Sequence, residues 1–312
     1  MQEMDFTALK DRRRPSILSA CVLGCVAVAG LWIASQLAVM IAPRAGIRQE
    51  IASNALYYLP FVLLPVMLCM GRRQGLSEAM RLNPVPVLPL LTVMFLAVVS
   101  VFAATELDAL WVMLLNACGL HEPDVALNVG SSRALMLAIV NSAAVPAVCE
   151  ELLFRGYILA AWERRGTWRA IWVSSTLFAL LHSNVFGLPA YLLVGAISAY
   201  LVYALDSLYA GMVYHTVYNA AILVIVFLAG RSEAAATDAA PQTLWLATEL
   251  AMLLAAMVTM LVSLDLRRRA AGIEPVPARG GRLRRAEIAA LTVLVGALLL
   301  STLAATLLGG AA

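Results

Sequence analysis

Residues 146–159 read PAVCEELLFRGYIL, so two adjacent acids, Glu150 and Glu151, and a base, Arg155, sit in a stretch otherwise apolar enough to lie in lipid. Two more polar sets recur in equally apolar surroundings: Phe178 and His182 in FALLH, and His215 and Asn219 in HTVYN. An ionisable side chain in a membrane span costs about 2.5–3.5 kcal/mol even on insertion scales, so such residues mark a functional site by default. A carboxylate in a dry site can act as general base, and beside an imidazole it can hold and deprotonate a water for attack on a carbonyl. A second imidazole and an amide could offer hydrogen-bond donors to the oxyanion that forms. This is an inventory for hydrolysing a peptide bond inside a membrane.

Spacing constrains how these groups face. Glu151 and Arg155, Phe178 and His182, and His215 and Asn219 are each i,i+4 and share a helix face. Glu150 is turned about 100° from Glu151, so one acid can pair with Arg155 while the other faces a cavity. Counted from the ends of their spans at 1.5 Å per residue, Glu150, His182 and Asn219 fall about 18–21 Å deep, and Arg155 and His215 about 12 Å. The bland reading is a structural ion pair plus interhelical hydrogen bonds. Acid, imidazole and amide together at one depth favour a reaction site.

The elements that must carry these groups are membrane helices. Of 312 residues, 62% are hydrophobic and 13% charged, with mean hydropathy +0.86, which excludes an ordinary soluble domain. Apolar runs predict an all-α, polytopic transmembrane helix bundle of about 8–9 spans, near 17–42, 54–70, 86–105, 133–162, 168–184, 188–204, 207–228, 243–264 and 287–308. A tenth apolar patch, 109–118, is too short to span and reads as re-entrant or interfacial. The first run is too long for a signal-peptide core and reads as an uncleaved anchor.

Arginine distribution gives orientation. With the N-terminus in the cytoplasm, Lys10, Arg12, Arg13, Arg14, Arg72, Arg73, Arg81, Arg164, Arg165, Arg169 and the seven Arg of 265–286 all lie inside. Only Arg44, Arg48, Arg133 and Arg231 lie outside. A bacterial inner-membrane protein is the expected setting. The net charge of +3 follows from this topology, and neither a nucleic-acid footprint nor a phosphate-binding glycine loop is present. The linker DLRRRAAGIEPVPARGGRLRRA, 265–286, reads as a mobile loop near anionic headgroups. Asp206 or Ser207 reads as the N-cap of the seventh span. The Cys spacing suggests neither disulfides nor a zinc knuckle; Cys149 reads as a buried structural thiol and His121 as a solvated loop residue.

EELLFRG, FALLH and HTVYN, in this order on successive spans, resemble the EExxxR, FxxxH and HxxxN motifs of the CPBP intramembrane proteases, the family of CAAX prenyl endopeptidases and of bacteriocin-processing or Abi proteins. DSLYAGMVYH, leading into the third motif, is similar too. The resemblance covers residues 133–228, the expected catalytic core, flanked by helices in 1–132 and 229–312 that resemble nothing assignable. It implies Glu150 as the base that activates water with help from His182, His215 and Asn219 as oxyanion stabilisers, Glu151 and Arg155 as ordering residues, and Phe178 as a cavity-lining residue. No cofactor is implied by this reading. Divalent metal such as zinc is the rival, and the lack of HExxH and Arg155 beside the acids weigh against it. The expected partners are the bilayer and a membrane-embedded or lipidated protein or peptide substrate. A transporter or an immunity protein that uses the buried polar site for binding is the alternative.

Overall fold

The computed structural model describes residues 15–45, 49–71, 75–122, 130–230, 243–278 and 281–309, and every element among them is a helix. We number the nine principal ones α1 (Ile17–Ala45), α2 (Gln49–Gly71), α3 (Val87–Ala117), α4 (Ser132–Arg165), α5 (Thr167–Leu181), α6 (Leu188–Ala204), α7 (Leu208–Ala229), α8 (Thr243–Ala270) and α9 (Arg285–Gly309). All except α5 and α6 contain a stretch long and apolar enough to cross a membrane, seven such helices among the described residues. The chain is an integral membrane protein.

The expected count of about 8–9 spans approximately matches these seven long helices together with the shorter pair α5 and α6. Helices α5 and α6, of 15 and 17 residues, reach about 22 and 25 Å against a hydrocarbon core of about 30 Å. Turn chemistry ends α5 before the expected boundary at 184: Ser183 adopts φ 51°, and the Asn184 carboxamide oxygen accepts from the Phe186 amide. The patch at 109–118 is not a separate element. It continues α3, a single helix of 31 residues, because Thr105, Glu106 and Asp108 do not break a helix and Thr105 Oγ1 folds back onto Val101 O at 2.9 Å. The extension props up the hairpin: Asp108 Oδ1 accepts from the Ala190 amide at 3.1 Å, and Trp111 Nε1 donates to Val185 O at 2.8 Å.

Two apolar clusters build the core. One joins α1, α2, α4, α5 and α9 with the end of α6 and the start of α7; the other joins α3, α6, α7 and α8. Helix α4 packs against α2, α5 and α7, which is what a helix carrying Glu150, Glu151 and Arg155 in its middle requires.

The arginine-rich end is tightly closed. Arg81 Nη2 donates to both carboxylate oxygens of Glu163, at 2.9 and 2.7 Å, while its Nε lies 3.0 Å from Asp206. Ser207 holds the N-cap position of α7, but its hydroxyl donates to Asn83 O instead of capping the helix. The linker expected to be mobile is strapped across the foot of α4 and α5 where it is described. The Thr167 amide donates to Val276 O, the Val276 amide donates to Thr167 Oγ1, and Arg165 donates to Gly281 O and Arg282 O. Gly166 sits between them at φ 114°, where a Cβ would come within 2.9 Å of Ala278 Cα. Lys10, Arg12, Arg13, Arg14, Arg48, Arg72, Arg73, Arg231 and Arg279, used above for orientation, lie outside the described residues.

Candidate active site

Helix α4 is not uniform where it bears the acids. Its turns widen to π-helical spacing over Ile139–Ala144 and Leu152–Leu159, bracketing the segment that carries Glu150 and Glu151. A widened turn loosens the regular carbonyl ladder, and neighbouring helices can supply the missing donors. Asn54 Nδ2 on α2 donates to Asn141 O at 3.1 Å, and Ser174 Oγ on α5 donates to Phe154 O at 3.0 Å.

The two adjacent acids have opposite surroundings. Glu151 is fully buried and saturated: Arg155 Nη1 lies 2.9 Å from its Oε1, Ser198 Oγ donates to its Oε2 at 2.8 Å, and His215 Nδ1 lies 3.1 Å from Oε1. Arg155 is buried with it, donating from Nη2 to Gly195 O at 2.9 Å, its guanidinium carbon 4.4 Å from the centre of the Phe178 ring. Gly211 lets α7 approach this closely, since a Cβ there would stand 2.7 Å from Glu151 Oε2.

Glu150 instead lines a cavity of about 460 Å³ together with His182, His215 and Asn219. Its Oε1 accepts a hydrogen bond from Tyr58 on α2 at 3.3 Å, and its Oε2, without a hydrogen bond to any described residue, lies 3.9 Å from His215 Nε2. The structure thus brings these four together at the cavity and sets Glu151 and Arg155 behind it.

Each imidazole has one nitrogen already committed. Because Glu151 can only accept, His215 Nδ1 is the donor in that contact, which leaves Nε2 toward Glu150 and the cavity. Nε2 can then donate only when the ring is protonated, a charge that Glu151 is placed to balance. His182 Nδ1 lies 2.9 Å from Phe178 O and donates to it, so the free nitrogen here is also Nε2. The His182 ring stacks on Tyr191 with centroids 4.0 Å apart. The Asn219 amide can donate irrespective of any tautomer.

Phe178 was expected to line the cavity and does not. At 1% exposure it lies behind the wall, edge-on to His182 and His215 and against Arg155, because only the His182 end of the face they share reaches the cavity. Tyr58, Asn54, Tyr191 and Ser198, all at or beside the site, were not picked out from sequence: neutral residues in apolar runs carry no charge signal. Cys149 is buried, and His121 is exposed with Nδ1 3.2 Å from Asn116 Oδ1. Among the described residues no three His, Cys, Asp or Glu side chains are grouped to hold a metal ion, and Glu151 is committed to Arg155 and Ser198.

Residues 132–221 match the family described as type II CAAX prenyl endopeptidase Rce1-like. The match spans all three motifs. No curated protein and no solved structure is significantly similar to the chain.

Proposed function

We propose that the protein is a CPBP-type intramembrane endopeptidase whose catalytic unit is 133–228, oriented with its N-terminus and arginine-rich loops in the cytoplasm of a bacterium. Glu150 takes a proton from a water held between its carboxylate and His182 Nε2. The resulting hydroxide attacks the scissile carbonyl carbon, and the oxyanion is met by the Asn219 amide and by His215 in its protonated form. Collapse of the intermediate expels the amine, which receives the proton back from Glu150. Glu151 holds His215 in register, and Arg155 neutralises Glu151. The substrate is a membrane-associated protein or peptide, with prenylated CAAX-type and other C-terminal segments as the classes to try.

One observation carries this reading: of two neighbouring carboxylates, one is saturated by Arg155, Ser198 and His215, and the other stands in the cavity beside two imidazoles and an amide. An ion pair kept only for packing would not need the second acid.

The test is cleavage of prenylated and unmodified C-terminal peptides by the purified protein in detergent, with and without chelator, beside Glu150→Gln. General acid–base contributions are of order 10²–10⁴-fold, so the variant is expected to lose about a thousandfold in rate with an unchanged unfolding midpoint. Cleavage abolished by chelator in the wild type would return the metal reading. A Glu150→Gln protein that still cleaves would sink the proposed base.

A further inference from the structure

We propose that the cavity takes its substrate from the end of the bundle opposite the arginine-rich loops, so that the peptide bond is presented on the extracytoplasmic side by an uncharged segment of a membrane-anchored protein. The peptide part of this inference rests on the endopeptidase reading. The side of access rests on the architecture together with the arginine bias of the loops.

The wall residues of the cavity lie toward one end. Asn54 is in the second turn of α2, Ser142 in the first widened segment of α4, and Ile222 and Leu223 in the last third of α7, all at the ends remote from Arg81, Glu163 and Asp206. Exposure follows the same direction: Ser142 is exposed and Asn54 half-buried, whereas Glu150 and His215 on the floor are 5% and 3% exposed. The short hairpin explains the opening. Helix α5 stops at Leu181, so His182 caps its far end, while α3, α4 and α7 run on past it. Asp108 and Trp111 hold the hairpin turn in place from the side.

The other direction is closed. Beneath Glu150 come the Arg155–Glu151 pair, then Leu153, Tyr157, Met80 and Leu208, all at 2% exposure or less. Below these lie the Arg81–Glu163–Asp206 network and the 276–282 strap. A peptide arriving from this end would have to break this network around the buried Glu163. With the arginine-rich loops in the cytoplasm, as their charge bias requires, the open end is extracytoplasmic.

The lining also selects chemistry. Tyr57, Tyr191, Pro146 and the two aliphatic residues of α7 face the cavity, and among the described residues no Lys or Arg does. A free terminal carboxylate finds no cation there, and a basic segment finds only Glu150. An uncharged, partly apolar stretch loses least on leaving water.

The test is side-resolved thiol labelling of the full chain in sealed right-side-out and inverted membrane vesicles. Ser142→Cys is built with Cys118→Ser, because native Cys118 is exposed at the end of α3, and Arg282→Cys marks the opposite face. A membrane-impermeant maleimide is expected to label Ser142→Cys in right-side-out vesicles only and Arg282→Cys in inverted vesicles only. Asn54→Cys is a second reporter if the first folds poorly. Labelling of Ser142→Cys from the cytoplasmic side, or from neither side while detergent exposes it, overturns the proposal.

In a Glu150→Gln background, a palmitoylated neutral octapeptide is expected to slow that labelling at least about threefold, and the same peptide carrying two lysines to leave it unchanged. Equal protection by both, or by neither, removes the substrate class. Labelling needs no catalysis, so a protein that labels as expected yet cleaves nothing keeps the access side and loses the endopeptidase reading.

Discussion

The two halves of this bundle, divided at the level of Glu150, solve the problem of polar groups in lipid in different ways. Toward the arginine-rich end each buried charge has a partner on another helix or loop: Glu151 meets Ser198, His215 and Arg155, and Arg81 meets Glu163 and Asp206. Toward the other end Glu150 and two imidazole nitrogens border open space, and Tyr58 supplies the one side-chain hydrogen bond to Glu150 among the described residues. Saturated charges stabilise one arrangement and are chemically spent. Groups with unused lone pairs cost stability and remain able to handle a proton. Substitutions in the first half should therefore move stability, and those in the second should move rate.

Arg155→Ala gives the largest stability effect after the rate loss expected of Glu150→Gln. It leaves Glu151 as a buried carboxylate without its cation, a change that costs about 3–5 kcal/mol, and is expected to show as a collapse in folded yield and a lowered unfolding midpoint in detergent. Normal yield and midpoint would break the comparison at its firmest point. Glu163→Gln removes the charge from the Arg81 pair while keeping its shape and one acceptor; about 1–3 kcal/mol should be lost, with the rate per folded molecule unchanged. A fall in that rate without a fall in stability would mean that the closed end also shapes the site.

Tyr58→Phe lies on the other side of the divide. It deletes only the hydroxyl that donates to Glu150, and a neutral hydrogen bond is worth about 1 kcal/mol, so a rate loss of about fivefold with an unmoved midpoint is expected. If the midpoint falls and the rate does not, Tyr58 is a packing residue and Glu150 is oriented by something else.

Much of the fold could be read from the sequence. The long spans are set by apolar length, and the sharing of roles between Glu150 and Glu151 follows from a 100° step between neighbours with Arg155 one turn away from only one of them. Other parts were not legible. The fifth span looked long enough until the Ser183–Asn184 turn ended it, since an apolar run does not register where backbone geometry changes. The Pro/Gly/Arg linker reads as mobile in composition, yet backbone pairing between Thr167 and Val276 ties it down, and composition carries no record of such pairing. Phe178 shares a face with His182, but which part of that face meets the cavity depends on how α5 rotates against α4 and α7.

By itself, then, the sequence determined that this is a helical membrane protein and that a small set of acids, imidazoles and an amide lies at one depth inside it, because burying such groups is costly and their spacing fixes their faces. The tertiary structure decided that Ser198 and His215 join Arg155 in saturating Glu151, and that Tyr58 on α2 joins the site from 92 positions away. Those choices depend on helix rotation, on two widened turns and on a hairpin too short to cross. All three are set by packing between distant segments, which no local pattern encodes.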